Sequence, residues 1–271
     1  MRFPLSPAAF VRNLWSHRDL VWQMTERDAL ARYRGTAGGL FWVAFTPLLM
    51  LGIYTVFFTE VFPTKWGTPG EGRGTFALII FVGLLLHGFL AETLARAPTL
   101  IVANANLVKK VVFPLDLLPV VSLASSLFHL VIGLLIWFLF FLFASGLPPL
   151  TALWLPVILL PLAMIALGAM WILASLGVYL RDVGQIVPLL TSVLLFASPV
   201  FYRLEALPGH WRNLVQLGPL AVPIEQARRV LLWGQAPEAL PLAIYWVVAL
   251  LVLWLGLVWF QGTRKGFADV L

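Results

Sequence analysis

The side chains that most often carry enzyme chemistry are sparse in this sequence and do not cluster. Cysteine is absent, no H-E-x-x-H or G-x-S-x-G motif occurs, and no two carboxylates share a helix face. The four histidines fall in unrelated segments, at His17, His87, His129 and His210. We therefore expect no catalytic residue, no metal site and no resident cofactor in this chain.

The lysines argue against a phosphate-binding P-loop, which needs glycine directly before its lysine. None of the four lysines follows a glycine: Lys65, Lys109, Lys110 and Lys265. The chain should not hydrolyse ATP by itself. An ATP-driven activity would need a separate subunit that binds ATP and Mg²⁺.

The composition is that of a membrane protein. The 271 residues are 61% hydrophobic and 11% charged, whereas soluble domains average about 45–50% apolar and about 25% charged residues. This excess predicts an all-α integral membrane protein. The net charge of +6 comes from Lys and Arg scattered at the ends of apolar runs, which favours membrane lipids over nucleic acid as their partner.

Six segments are long and apolar enough to cross a bilayer, for which a helix needs about 20 predominantly apolar residues. The predicted spans are residues 40–62, 76–94, 115–144, 151–180, 183–201 and 240–260. Ionised side chains are rare inside them. Where Glu92 and Arg96 occur together, their i,i+4 spacing favours an ion pair over a proton relay, and His129 is expected to be a hydrogen-bonded packing residue.

The basic residues predict the orientation, because Lys and Arg are enriched in cytoplasmic loops. Twelve of the 18 fall on the side of the two termini and six on the other side. The first 34 residues also lack the apolar core of a secretory signal. We expect a single domain in the cytoplasmic (inner) membrane with both termini in the cytoplasm. Within it, residues 1–36 should form a cytoplasmic or interfacial helix, residues 37–262 a six-span bundle and residues 263–271 a cytoplasmic tail.

The N-terminal segment has the pattern of an amphipathic helix. At 100° per residue one arc is apolar, with Phe10, Val11, Leu14, Trp15, Val21 and Trp22. The opposite arc is polar, with Arg12, Asp19, Gln23 and Arg27. Two placements remain open, a helix in the headgroup plane or a helix packed on the cytoplasmic end of the bundle.

The segment between the last two spans, residues 202–237, is apolar in two pieces that prolines keep too short to cross. Glu225 and Arg228 would also lie in mid-membrane if it did. We predict a re-entrant outer segment rather than a seventh span, with an interfacial loop as the alternative. Such backbone is tolerated at membrane depth only where protein or a wet cavity surrounds it.

Two shorter patterns concern the cytoplasmic side. Residues 104–114 read N-A-N-L-V-K-K-V-V-F-P, a short helix with an apolar face that Pro114 ends. That face could contact another protein or lie against the membrane. Further along, Asp182 followed by Gln185 predicts a capping box at the start of the fifth span.

Four segments resemble the permeases of polysaccharide-exporting ABC transporters, which export O-antigen, capsule and teichoic-acid chains. These are R-Y-R-G at residues 32–35 followed by L-F-W at 40–42, the 104–114 loop, Y-L-R-D at 179–182 and F-A-S-P-V-F-Y at 196–202. They occur in the family's order and spacing from about residue 20 onward. The chain departs at Ala105 and Gly218, where family members often have proline and asparagine.

The resemblance implies a homodimer of six-span subunits with a conduit at the two-fold axis and two ATP-binding ABC subunits below. It assigns ATPase coupling to Asn104, Asn106, Leu107, Val108, Lys109, Lys110 and Val111. It places conduit-lining side chains at Trp42, Phe45, Tyr54, Phe196, Phe201 and Tyr202. The predicted outer gate comprises Pro199, Pro219, Glu225 and Arg228.

Arg32 and Arg34 are candidate contacts for the phosphates of a lipid-linked glycan, because arginine forks match phosphate oxygens. The alternative is that they only anchor the cytoplasmic end of the first span, as basic residues at that side of a membrane commonly do. The function predicted as a whole is the transmembrane subunit of an ATP-driven exporter of lipid-linked polysaccharide. Two alternatives are an ABC permease for small drugs or lipids, and an integral-membrane enzyme acting on lipid-linked sugars.

Overall fold

The computed structural model describes residues 7–31, 38–39, 41–57, 75–110 and 113–271, and all regular structure in this part of the chain is helical. In chain order the α-helices are α1 (Pro7–Ser16), α2 (Arg18–Ala31), α3 (Phe41–Val56), α4 (Thr75–Leu100), α5 (Ala105–Lys110), α6 (Leu117–Ser145), α7 (Leu155–Tyr179), α8 (Val183–Phe196), α9 (Gly209–Gln216), α10 (Ala221–Leu231), α11 (Ala239–Thr263) and α12 (Phe267–Val270). Short 3₁₀ turns precede α5, α7, α9 and α12.

Four helical segments in the described part of the chain are long and apolar enough to cross a membrane. They are Phe76–Leu100, Leu117–Ser145, Leu150–Tyr179 and Ala239–Val270, and they coincide with the second, third, fourth and sixth predicted spans. The protein is therefore a multi-pass membrane protein. The first and fifth predicted spans correspond to the shorter apolar helices Phe41–Val56 and Val183–Phe196, so the six-span count stays a prediction.

Helices α4 and α7 form the centre of the bundle and are the most buried of the four long helices. Helix α4 contacts α3, α6, α7 and α8, whereas α11 packs chiefly on α7. The α7–α11 contact is close because glycines face each other. A Cβ on Gly168 would overlap the α11 backbone at Val252, and a Cβ on Gly256 would overlap Gly168. Small residues at such crossings let two membrane helices approach closely.

One end of the bundle carries both ends of the described chain, and we call it the terminal end. It comprises α1, α2, α5 and α12. Polar contacts at Asp116 join α1 to the turn before α12, and Asp28 joins α2 to α4. The N-terminal segment forms two helices that meet at His17 rather than one. Phe10 is buried with its ring 5.0 Å from that of Trp171, while Trp15 and Trp22 are each 71% exposed. The segment thus packs on the bundle; its placement in a headgroup plane stays a prediction.

The opposite end, which we call the distal end, holds the α6–α7 connection and residues 197–238. Helix α10 is buried there among α4, α7 and α11. Helix α9 is amphipathic, with exposed Trp211, Leu214 and Leu217 in and directly after it. The predicted short pieces are therefore present; their depth in a membrane stays a prediction. The capping box is wrong, because Asp182 occupies the N-cap position of α8 without a side-chain cap bond.

Candidate functional site

The guanidinium of Arg228 joins three segments at the distal end. Arg228 lies on α10 and is fully buried. Its Nη1 donates to the Pro199 carbonyl at 2.6 Å, its Nη2 to the Val200 carbonyl at 2.7 Å, and its Nε to the Ile79 carbonyl of α4 at 3.2 Å. A buried charge is tolerated only when its hydrogen-bonding capacity is satisfied. The fork of arginine donors meets this requirement with three backbone acceptors.

Two neighbours complete this distal Arg228 site. The Oε1 atom of Glu225, one turn earlier on α10, lies 3.4 Å from Nη1 and supplies a carboxylate. Gly83 leaves the space that the guanidinium occupies, since a Cβ there would lie 3.1 Å from Nη2 and 3.2 Å from the Val200 Cα. The arrangement fixes the turn after α8 against α4 and α10.

Three of the four residues predicted as the outer gate therefore lie together: Pro199, Glu225 and Arg228. Pro219 lies just before α10 and takes no part in these contacts; its carbonyl accepts a hydrogen bond of 2.7 Å from the Tyr245 hydroxyl of α11. The signal in the sequence was the pair of ionisable residues in an apolar segment. The acceptors were not foreseeable, because they are backbone carbonyls.

The predicted conduit residues form two aromatic groups on different helices. On α3, the rings of Trp42 and Phe45 lie 5.5 Å apart, and Trp42 is 44% exposed. At the end of α8, Phe196 is 71% exposed and its ring lies 6.2 Å from that of Phe201. The Tyr202 hydroxyl donates to the Phe196 carbonyl at 3.0 Å. Both helices pack against α4.

Tyr54, the sixth predicted conduit residue, is half-buried and packs against the hydrophobic core. The α8 helix is fastened to α4 by His87, whose Nε2 lies 2.9 Å from the Thr191 carbonyl. The rest of α8 exposes a broad apolar surface. Its exposed residues are Ile186, Leu189, Leu190, Val193 and Phe196. An apolar face of this kind requires lipid or a second protein surface.

The predicted coupling segment lies at the terminal end. Asn104 Nδ2 donates to the Leu100 carbonyl at 2.8 Å, and Asn106 is exposed. Leu107 and Val108 are half-buried and pack against the core, and α12 contacts α5. Part of the apolar face is thus covered by the chain itself. Val111 and the side chains of Lys109 and Lys110 lie outside the described residues, as do Arg32 and Arg34.

Sequence reasoning missed Asp116, the centre of a polar cluster just after the coupling segment. Its carboxylate accepts hydrogen bonds from Asn13 of α1 at 3.2 Å and from Arg264 at 3.3 Å. Its carbonyl accepts from the Trp171 indole at 3.1 Å. A lone carboxylate at the start of an apolar run was the signal available.

A second polar cluster at the terminal end contains the predicted Glu92–Arg96 pair. The two are 4.0 Å apart, but Arg96 is closer to Asp28 of α2, at 2.6 Å. Glu92 accepts instead from the Ser126 hydroxyl at 2.7 Å, and His129 Nδ1 lies 3.2 Å from the same oxygen. His129 is therefore hydrogen-bonded, as predicted. In the described segments, no group of three His, Cys, Asp or Glu residues could hold a metal ion.

The long apolar helices and the buried ionic contacts between them define a helical, multi-pass membrane protein. The chain belongs to the ABC-2 type transporter family, whose profile matches residues 19–232. This confirms the family resemblance found in the four sequence motifs.

Three relatives are similar along almost their whole length. A protein of Myxococcus xanthus named O-antigen export system permease protein RfbA is 27% identical over 261 residues, covering 96% of this chain and 98% of the relative. Two proteins of the same name from Klebsiella pneumoniae are 25% and 24% identical over 255 residues, each covering 93% of this chain and 95% of the relative.

Proposed function

We propose that the chain is the transmembrane subunit of an ATP-driven exporter of lipid-linked polysaccharide, O-antigen or capsular in type, in the cytoplasmic membrane. The near full-length similarity to three proteins named O-antigen export permeases carries this proposal. Membership of the ABC-2 type transporter family supports an ATP-binding partner subunit. The chain itself would contribute the passage, and the partner would bind ATP and Mg²⁺.

The exposed surfaces of α3 and α8 support a homodimer with the conduit between the two copies. Helix α8 has 14 residues and at 1.5 Å per residue spans about 21 Å, less than the hydrocarbon core of about 30 Å. It ends at the turn that Arg228 holds. A second copy would cover the apolar surface of α8 and bring two sets of Trp42, Phe45 and Phe196 near one axis, where flat aromatic faces suit sugar rings.

Coupling is proposed to run through α5. ATPase closure would press on the exposed side of α5, with α12 behind it, and separate the two copies along α3 and α8. Arg32 and Arg34 precede α3 and would bind the lipid-linked phosphates as substrate arrives. Both termini would lie in the cytoplasm, which places the Arg228 site at the periplasmic end.

The test is purification of the chain with its cognate ATPase subunit and reconstitution in liposomes. We expect ATP hydrolysis to rise with long glycan lipid but not with small amphiphiles. Asn106→Trp on the exposed side of α5 should abolish co-purification, whereas Gln185→Trp, another exposed amide next to the α7–α8 turn, should not. Export by the chain with no nucleotide-hydrolysing partner would contradict the proposal, and stimulation by small amphiphiles alone would favour a drug or lipid permease.

A further inference from the structure

A cavity of about 1020 Å³ lies at the distal end between the α9–α10 segment and α11. Its volume is at the upper limit of the range of about 300–1,000 Å³ common for small-molecule sites. The cavity lies along α11, which packs chiefly on α7, whereas α3 and α8 contact α4. None of the predicted conduit residues lines it, although Pro219 and Glu225 of the predicted outer gate do.

The wall along α11 is apolar and deep. From Leu240 to Val252 it includes Ile244 and Val248, and these twelve steps along a helix cover about 18 Å. Half of a bilayer's hydrocarbon core is about 15 Å. The apolar part of the cavity therefore matches the depth of one leaflet, which suits an acyl chain and not a sugar.

The mouth of the cavity is ionic, with three arginines and three glutamates in its lining, and Arg228 behind the wall adds a fourth cation. Glu205 pairs with Arg203 at 3.5 Å and Glu238 with Arg229 at 2.8 Å. The third lining carboxylate, Glu225, pairs with Arg228 behind the wall. The remaining lining arginine is Arg212 on α9, which has no carboxylate partner among the described residues.

Arg212 lies on a helix with the pattern of an interfacial segment. It belongs to α9, a helix whose Trp211 and Leu214 are exposed, at 55% and 61%. A short amphipathic helix with exposed Trp and Leu beside a cation is typical of the membrane interface. The guanidinium fork of arginine matches phosphate oxygens bidentately, so Arg212 can bind a lipid phosphate at the mouth of the cavity.

We propose that this cavity binds an anionic phospholipid of the distal leaflet, with an acyl chain along α11 and its phosphate at Arg212. The inference needs only that α11 spans a membrane. It does not depend on polysaccharide export.

The experiment measures phospholipid retained by the full-length chain in detergent, by native mass spectrometry with phosphatidylglycerol and phosphatidylcholine of equal chain length as probes. We expect the wild type to retain phosphatidylglycerol. Val248→Trp should lower retention by about tenfold, because the added ring fills the apolar wall. Val247→Trp is the matched control: it is the neighbouring valine on α11, 58% exposed and not part of the cavity lining, and should retain lipid normally.

The headgroup contact is tested separately with the same probes. Arg212→Gln should reduce the preference for phosphatidylglycerol by about fivefold, as expected for one cation at a lipid phosphate, and Arg212→Lys should preserve it. Equal loss in Val248→Trp and Val247→Trp would overturn the proposal. So would displacement of lipid by glycerol phosphate or soluble oligosaccharide, or loss of a dimer in Val248→Trp, which would identify a second copy as the occupant. The assay involves no transport, so its failure would leave the export function intact.

Discussion

Asp116 and Arg228 are both buried charged residues, but the two ends of the bundle satisfy them in opposite ways. Arg228 at the distal end is surrounded by backbone carbonyls, two of them within 2.7 Å. Asp116 at the terminal end contacts two side chains, Asn13 and Arg264, at 3.2 and 3.3 Å. The distal site therefore depends on the Arg228 side chain alone to bind several carbonyls. At the terminal site, the Asp116 carboxylate shares its hydrogen bonds between Asn13 near the N-terminus and Arg264 near the C-terminus.

The difference indicates which end is built to stay fixed. Backbone acceptors on α4 and the turn after α8 cannot rotate away, so the Arg228 contacts persist unless whole segments move. Long side chains such as Arg264 can exchange partners, and Arg264 already contacts Gln261 at 2.9 Å as well. We infer a rigid distal end and an adjustable terminal end, which the following substitutions examine.

The largest effect is expected from Arg228→Leu. Removing the guanidinium leaves three carbonyls without their donors and Glu225 without its cation, and breaking buried ionic contacts costs about 3–5 kcal/mol. The measurement is thermal unfolding of the detergent-solubilised chain, followed by tryptophan fluorescence, together with the yield of monodisperse protein.

Arg229→Leu is the control, because the neighbouring arginine has a side chain 30% exposed and pairs with a half-exposed Glu238. Loss of this ion pair should lower the free energy of unfolding by less than about 1 kcal/mol. Arg228→Lys keeps the charge without the planar fork and should fall between the two. Equal stability of all three variants would remove the claim that the distal end is fixed by Arg228.

Asp116→Asn should have an intermediate effect, about 1–2 kcal/mol. The amide keeps one acceptor for Asn13 or Arg264 but loses the ionic attraction. A double-mutant cycle with Arg264→Gln, again by thermal unfolding, should give a coupling energy of about 0.5–3 kcal/mol. Asp182→Asn, an exposed aspartate at the same end, serves as the control. If the losses of the two single variants simply add in the double variant, the 3.3 Å contact between Asp116 and Arg264 does not contribute to stability.

The smallest effect is expected from Asp28→Asn, which removes the 2.6 Å ion pair between α2 and Arg96. Both side chains are partly exposed, at 31% and 24%, so solvent screening limits the loss to about 1 kcal/mol or less. Unfolding in low and high salt measures it, and the difference from wild type should shrink as salt rises. A loss as large as that of Arg228→Leu would contradict the proposed difference between a fixed distal end and an adjustable terminal end.

Much of the fold followed from hydropathy, because a long apolar run has few alternatives to a membrane helix. The predicted span at 115–144 corresponds to α6, Leu117–Ser145, and the span at 240–260 to α11, Ala239–Thr263. The length of α8 was overestimated, because the predicted span runs to residue 201 and the helix ends at Phe196; the predicted end of the first span lies outside the described residues. The apolar sequence of α8 continues beyond the helix, as at Val200 and Phe201, but the chain turns where Arg228 binds two successive carbonyls.

The polar sites were only half predictable. Arg228 and Glu225 were noticed because charge is costly in an apolar segment, yet spacing along the chain could not reveal partners such as Ile79, which is 149 residues away. Asp116 was passed over within a predicted span, and its contacts join residues 13, 116 and 264. The Asp182 capping box failed although both residue types were present. Such contacts depend on tertiary packing rather than local pattern.

The facing glycines of α7 and α11 have a consequence for how the molecule can move. The backbones of α7 and α11 are in contact at Gly168 and Gly256, so neither helix can slide past the other without a steric clash. We therefore expect the two helices to move as one rigid body. In the proposed transport cycle we expect displacement on the other flank, where α8 is joined to α4 by the His87–Thr191 hydrogen bond and, at its distal end, by Arg228. If the proposed export function is correct, we expect a disulfide joining α7 to α11 to leave export unchanged and one joining α4 to α8 to stop it.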